Sequence, residues 1–366
     1  MPLQTRGGRN VVLYFHISNL VCDGDALRML MNWKGASGKL ACFQCLNVVN
    51  VPPSSVLPDG CVRLSCYDKA RFNPASNQDW WNKADSLLYE KDRLGKGRFE
   101  KLETATGLTL NPRGLLWDHA LRPYIGPIDI CTKDAMHTML VDGVGHSEMR
   151  CVLGRLAELG DDWVALNQVM QANWKFCRLN RSGGQAIRRS FNRKREVRFK
   201  GQGLFAPDAG ELLAIFPLFG HYLNTVALAK HGESIRAAVD SFHACACCIA
   251  LAKEGKFDGA HAQRLDRAMV THAEKKSIAY PNDGHRAKDH WRFHLGDQMV
   301  RDGLILDCFA GERVNRAFKR CAEEMKPSTD TTDLSYEASV MKRTMVHFDD
   351  MWERGGLRNE LRSPVH

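Results

Sequence analysis

The stretch from Val21 to Asn47 constrains the fold more than any other part of the sequence. It follows an apolar segment at residues 11–18, VVLYFHIS, whose β-branched and aromatic side chains predict a buried strand. Asp23 and Asp25 come soon after that segment and directly before a short apolar helix. A buried strand can fix a carboxylate whose head stays in water, so these aspartates are candidate catalytic residues. Capping of the following helix is an equally good interpretation.

Two cysteines in the same stretch have the spacing of metal ligands. Cys42-Phe-Gln-Cys45 is a CxxC pair, and Cys61 and Cys66 follow a loop rich in proline, glycine and serine. Zn²⁺ takes four ligands in a tetrahedral arrangement, so these four thiols could form one local zinc site. The wider spacing of Cys61 and Cys66 is loose for a zinc knuckle.

Composition limits the class of protein. A chain of 366 residues is long enough for two or three packed units. Its 13 cysteines follow an N-terminus without the apolar core of a signal peptide, which favours reduced thiols and metal binding over disulfides. The sequence contains no run of 18 apolar residues, so it predicts no membrane span. The net charge of +9 and the sequence pI near 8.9 favour polyanionic partners.

Much of the remaining chain has helical periodicity. The pattern predicts helices over residues 77–110, with Gly107 as a stop, and over residues 139–180 and 206–255. Three cysteines in the last segment cannot all face one metal from a single helix, so we interpret them as small packing residues, namely Cys245, Cys247 and Cys248.

A basic segment at residues 181–200 interrupts the helical pattern. It contains eight basic residues and a single acid, Glu196, with Phe191 and Phe199 interleaved. Such a segment suits contact with a phosphate backbone, although a nuclear-import signal and a solvated linker remain alternatives. The predicted DNA-binding residues are Arg188, Arg189, Arg193, Lys194, Arg195, Arg198 and Lys200.

Polar residues later in the chain fall at helical spacing. Asp134 and His137 would share a helix face, either as a carboxylate that orients a histidine near a metal or phosphate, or as an N-cap followed by a packed histidine. His290 and His294 would also share a face and could hold one ion. Glu312 opens a basic helix, where it could form salt bridges or hold a metal ion beside DNA.

These motifs, in this order, resemble those of CACTA-superfamily DDE transposases and the related Plavaka elements. Asp23 followed by Trp33 and GKLACFQC resembles the second-aspartate region of that family, and Asp134-Ala-Met-His137 is similar to its D-x-M-H motif. The histidine pair and Glu312 resemble its paired histidines and final catalytic glutamate. The spacing is also similar to that of the recombinase that assembles antigen-receptor genes. The resemblance spans roughly residues 10–320.

The resemblance implies an α/β fold that is mostly helical overall, in which a partial RNase-H-like mixed sheet is interrupted by a large helical insertion. Residues 1–47 would carry the second-aspartate part of the core with the CxxC pair. Residues 48–285 would form the mostly helical insertion, including the basic segment. Residues 286–325 would complete the core with the histidines and the glutamate helix, and residues 326–366 would form a C-terminal helix and tail.

The resemblance also implies two kinds of metal site. Two catalytic Mg²⁺ or Mn²⁺ ions would lie between three carboxylates, two of them Asp23 and Glu312, and would assist phosphoryl transfer. A structural zinc ion would tie the two ends of the insertion together. Its implied ligands are Cys42, Cys45, His290 and His294. Asp134 and His137 would be accessory residues.

The implied activity is cut-and-paste transposition in the nucleus, with transposon ends and target DNA as partners and no membrane. A homo-oligomer is a further expectation. Residues 1–22 contain no aspartate or glutamate, so the first catalytic aspartate of the family is missing. We therefore expect an N-terminally truncated or decayed transposase without activity of its own. The alternative is a non-catalytic, zinc-stabilised DNA-binding or structural protein co-opted from a transposon.

Overall fold

Helices dominate the secondary structure of this protein. The computed structural model describes residues 2–4, 10–12, 19–22, 24–161, 163–171, 190–254 and 259–308, and it is mostly helical with small sheets. The predicted α/β class with mostly helical content is therefore confirmed at this coarse level.

The helices are named here in chain order. They are α1 (Gly24–Leu30), α2 (Asn77–Glu90), α3 (Lys96–Thr106), α4 (Pro127–Ile130), α5 (Ala135–Met139), α6 (Val144–Glu158), α7 (Trp163–Gln171), α8 (Arg193–Gln202), α9 (Ala209–Tyr222), α10 (Leu228–His231), α11 (Glu233–Glu254), α12 (Gly259–Ala279), α13 (Ala287–Trp291) and α14 (Leu295–Asp302). A π-helical turn, Leu223–Ala227, joins α9 to α10. Short 3₁₀ turns lie at Gly35–Ser37, Lys69–Arg71, Leu115–Trp117 and Arg292–His294.

The strands form three separate pairs within the described residues. β1 (Pro2–Gln4) pairs with β2 (Asn10–Val12) in the antiparallel sense. β3 (Leu20–Cys22) pairs with β6 (Cys131–Lys133) in the parallel sense. β4 (Val48–Val49) and β5 (Val62–Arg63) are also parallel.

The strand that ends directly before Asp23 differs from the predicted one. It is β3, whereas the prediction placed a strand over residues 11–18, of which 13–18 lie outside the described residues. In the β3–β6 pair, Cys22 lies opposite Lys133. Asp134 therefore follows the carboxyl end of β6 directly.

The predicted helix over residues 77–110 is interrupted. α2 ends at Glu90, and α3 begins after Gly95, which is an extended N-cap without a side-chain hydrogen bond. The predicted stop at Gly107 is confirmed, because this residue closes α3 in the left-handed conformation with φ of 75°. The sequence does carry a signal for this interruption, because Gly95 and Gly97 are poor helix formers.

Buried hydrophobic side chains form two clusters. An N-terminal cluster includes Trp33, Phe43 and Trp80 together with Ala287 and Trp291 from α13. A helical cluster takes its members from residues 135–299. Residues between 48 and 131 also contribute side chains to the N-terminal cluster, so the two clusters divide near β6.

Two helical segments, Ala209–His231 and Glu233–Glu254, are long and apolar enough to cross a membrane by length and composition. Half of each apolar window is buried inside the protein. Phe219 and Phe242 meet between these segments with ring centroids 5.2 Å apart. Core helices of globular proteins pass the same test, and this packing explains the apolar composition.

Candidate metal centre

The CxxC pair lies on a loop that aromatic packing fixes in place. Cys42 and Cys45 are buried in the N-terminal cluster, and Phe43 between them stacks on Trp80 with ring centroids 4.2 Å apart. A bridge between Leu40 and Val49 holds the start of the loop against β4. Hydrophobic contacts and this bridge therefore hold the loop in place.

The two histidines reach this loop from the far end of the chain. His290 lies in α13 and His294 ends the following 3₁₀ turn. Between them, Trp291 donates from Nε1 to the carbonyl oxygen of Ala41 at 2.9 Å, and its ring lies 5.2 Å from that of Trp33. The indole of Trp291 thus docks the histidine segment on the residue before Cys42.

The four candidate ligands converge on one point. All four ligand atoms lie within 4.8 Å of one another. His294 Nε2 is 3.2 Å from Cys42 Sγ, 3.5 Å from Cys45 Sγ and 3.1 Å from His290 Nε2. Around a tetrahedral zinc ion, neighbouring ligand atoms are about 3.3 to 3.8 Å apart, given the usual Zn–N and Zn–S bond lengths. The observed separations are close to this geometry.

Hydrogen bonding alone does not account for the convergence. One imidazole nitrogen either donates one proton or accepts one, yet His294 Nε2 faces two sulfurs and a second imidazole nitrogen at 3.5 Å or less. A cation at the centre of the four atoms would satisfy all of them together. The chain therefore contains a Cys2His2 group that could bind a metal.

The electrostatics favour deprotonated sulfur at one ligand and neutral imidazole at another. Burial alone would raise the pKa of Cys42, but the hydrogen bond with Cys45 and the charges of His294, His290 and Lys133 hold it well below the usual value. The pKa of Cys45 is raised by its hydrogen bond to Cys42 and by burial. Burial lowers the pKa of His290. A thiolate and a neutral imidazole are the forms that bind zinc.

A buried cation, Lys133, accompanies the centre and was missed in the sequence. Its ammonium lies 4.7 Å from the ring centroid of Trp33 and 4.6 Å from that of Trp291, and it has no hydrogen-bond partner among the described residues. Two indole faces can hold such a cation. The sequence near Lys133 gives no signal of this role, because its two indole partners come from two distant segments.

A cavity of about 360 Å³ adjoins the centre. Its lining residues include Cys45 and His294. Lys69 and Asp297 also line it and form an ion pair at 3.0 Å.

Cys61 and Cys66 do not join the cluster, which takes its other two ligands from the histidines. The four-thiolate alternative is therefore wrong for the described geometry. Cys245 and Cys248 are buried in the helical cluster, which confirms the packing interpretation for these two, whereas Cys247 is exposed.

Asp134 and His137 adopt the capping arrangement. Asp134 accepts hydrogen bonds from the backbone N–H groups of Met136 and His137 and so begins α5, and its carboxylate also pairs with His137 Nδ1. It further accepts from the backbone N–H of Cys308 at 2.7 Å. The N-cap prediction is confirmed, and the same carboxylate also orients the histidine.

The basic segment is only partly described, and Arg188 and Arg189 lie outside the described residues. Phe191 and Phe199 are buried in the helical cluster, so they do not interleave with the cations on a free surface. Three of the predicted DNA-binding residues instead form ion pairs with Glu196 or Glu211, namely Arg193, Arg195 and Lys200.

The two remaining cations, Lys194 and Arg198, are exposed on α8. The predicted catalytic residues Asp23 and Glu312 lie outside the described residues. Comparison with protein-family models, with curated proteins and with solved structures gives no significant match.

Proposed function

We propose that this chain is a zinc-stabilised, DNA-binding protein related to cut-and-paste DDE transposases with an RNase-H-like core. The observation that carries the proposal is the meeting of the CxxC pair with a histidine pair: Cys42 and His294 are 252 residues apart in sequence yet 3.2 Å apart in space. Motifs that resembled the family by coincidence would not be expected to lie in contact in the structure. Zinc is the proposed ion because two thiolates and two imidazoles are its usual structural ligands.

The strand arrangement gives further support. Asp23 and Asp134 each follow directly on one strand of the parallel β3–β6 pair. Parallel strands that end side by side are where a sheet holds carboxylates for metal-dependent chemistry. The chain also returns to this edge after α14, since Ala135 donates to the carbonyl oxygen of Leu306 at 3.2 Å.

DNA binding is proposed to involve the solvent-facing side of α8. Lys194 and Arg198 are four residues apart and lie on that side, so both could reach one phosphate backbone. Arg195 has a different role, because its guanidinium pairs with the buried carboxylate of Glu211.

We expect the double substitution Lys194→Gln and Arg198→Gln to weaken binding to duplex DNA. Loss of two phosphate contacts should reduce the slope of log affinity against log salt concentration by about 2. Fluorescence anisotropy with a labelled duplex, at several salt concentrations, measures both quantities.

A matched control removes two positive charges from exposed positions of α12, by Arg264→Gln and Arg267→Gln. This control should leave the salt slope close to that of the unaltered protein. An equal loss in both double variants would mean that only net charge matters and would remove α8 from the proposed interface.

A second candidate function is an active two-metal transposase domain that uses Asp23 and Glu312. One observation favours it: the chain returns to Asp134 at Cys308. Glu312 follows Cys308 by four residues, and four residues of chain reach at most about 14 Å. Residues 1–22 contain no acidic side chain that could act as a third carboxylate beside Asp23 and Glu312.

We therefore expect no Mg²⁺-dependent or Mn²⁺-dependent nicking of supercoiled plasmid by this chain. Nicking that is abolished by Asp23→Asn and by Glu312→Gln would support the active domain. Nicking abolished by Glu312→Gln and kept in Asp23→Asn would show that the carboxylate assignment is wrong.

A further inference from the structure

A second group of metal-ligand side chains lies at the carboxyl end of β6. It consists of Asp134, His137 and Cys308, and one ligand atom of each lies within 4.8 Å of the others. Asp134 is buried, with 3% of its surface exposed, and the other two are partly buried. The group differs from an ordinary acidic cluster because it offers oxygen, nitrogen and sulfur together.

Backbone contacts hold the three residues in place. Asp134 begins α5 and so fixes His137 on the first turn of that helix. The segment after α14 is held against the same turn, because Cys308 donates its backbone N–H to Asp134 Oδ1 at 2.7 Å. This main-chain contact places Cys308 beside the carboxylate of Asp134. Because the backbone N–H makes the contact, substitution of the Cys308 side chain would leave it intact.

The hydrogen bonds of Asp134 define where an ion could enter. Oδ1 accepts from the backbone N–H groups of Met136 and Cys308, and Oδ2 accepts from the backbone N–H of His137. The remaining contact of Oδ2 is with His137 Nδ1. A metal ion can take the place of the proton shared by Oδ2 and Nδ1, while the two backbone bonds that cap α5 and the one from Cys308 remain.

We propose that Asp134, His137 and Cys308 form a second metal site for a borderline divalent transition ion of the zinc class. A mixed oxygen, nitrogen and sulfur ligand set selects such ions over Mg²⁺, which prefers oxygen alone. Three protein ligands also leave a coordination position for water or a substrate oxygen, as in catalytic zinc sites. The site is separate from the Cys2His2 centre, shares no ligand with it, and does not depend on the proposed DNA binding.

The test is a cobalt titration of the chelator-stripped full chain, followed by absorbance. Co²⁺ reports both sites, because each contains at least one thiolate ligand. The unaltered chain is expected to bind about two Co²⁺ ions, one at each site. Cys308→Ser and His137→Gln should each lose about one equivalent, and Cys42→Ser should lose the other. Cys247→Ser, at an exposed cysteine outside both groups, is the control and should keep two.

Two results would overturn the second site. One is binding of a single equivalent that Cys42→Ser abolishes. The other is full retention of two equivalents in both Cys308→Ser and His137→Gln. Circular dichroism of each variant establishes that it is folded, and the use of two independent substitutions keeps the test decisive if one of them destabilises the protein.

Discussion

Substitution of Cys42 by serine is expected to remove about one metal ion per chain and to lower the melting temperature by about 10 °C or more. The reason is that the ion would link the N-terminal cluster to the histidine segment, which lies 252 residues away in sequence. Structural zinc contributes a binding free energy comparable to the whole stability of a domain. Elemental analysis and thermal denaturation measure the two effects.

His294→Ala should have a similar effect, because its Nε2 atom faces the other three ligands. Cys61→Ser and Cys66→Ser serve as controls, since these thiols lie outside the cluster. A fall in metal content in the controls, with none in His294→Ala, would show that a local thiolate site holds the metal and that the long-range centre does not.

Lys276→Met is expected to destabilise the protein by about 3 to 5 kcal/mol. The ammonium of Lys276 is buried, lies 3.1 Å from a carboxylate oxygen of Asp289, and donates to Ser147 at 3.2 Å. Methionine fills the same space without the charge, so Asp289 loses its nearest cation inside the protein. Chemical denaturation of the two proteins gives the difference in unfolding free energy.

The neighbouring Lys275→Met is the matched control. Lys275 forms an exposed ion pair with Asp240 at 3.5 Å, and such surface pairs contribute about 0 to 1 kcal/mol. The double variant Lys276→Met with Asp289→Asn should recover part of the lost stability, because it removes the unpaired carboxylate. Equal losses of unfolding free energy in Lys275→Met and Lys276→Met would contradict the assignment of Lys276 as the cation that neutralises Asp289.

The ion pair between Lys276 and Asp289 should make the stability of the protein depend on pH. Burial alone would raise the pKa of Asp289, but the charges of Lys276 and Arg292 lower it to about 2. The folded state therefore favours the ionised carboxylate, and this contribution is fully present above the unfolded pKa of about 4. It is lost as the pH falls through the folded pKa, so the stability gap between the unaltered protein and Lys276→Met should narrow between about pH 4 and pH 2.

This buried network also shows how the helical cluster supports the metal centre. Asp289 and Arg292 flank His290 in sequence, and Arg292 contacts His272, which in turn pairs with Glu148 at 3.0 Å. The histidine segment is thus fixed to α6 and α12 by buried charges and to the CxxC loop by Trp291. Both attachments help to position His290 and His294.

Features that depend on neighbours in the chain could be predicted from the sequence alone. The cap at Asp134, the stop at Gly107 and the packing role of Cys245 and Cys248 follow from local geometry. The chemistry of Cys42, Cys45, His290 and His294 also follows from residue type and spacing.

Their assembly into one group of four could not be derived from local pattern, because the contacts between them span most of the chain. The sequence also offered Cys61 and Cys66, at a looser spacing, as local partners, and the docking of Trp291 on the carbonyl of Ala41 is what brings the histidines to the CxxC pair. The same holds for Lys133, whose two indole partners come from different segments, and for Cys308, whose backbone N–H reaches Asp134 where the chain returns after α14.

The basic segment shows the same difference between what the local sequence determines and what the tertiary structure determines. The sequence by itself determined that residues 181–200 carry a high density of positive charge, because composition is local. Only the tertiary structure decided that Arg195 is neutralised by Glu211 and that Phe199 faces the core, while Lys194 and Arg198 remain exposed. The physical reason is that a side chain's charge is set by its own chemistry, whereas its partner is set by which distant segment the hydrophobic core brings beside it.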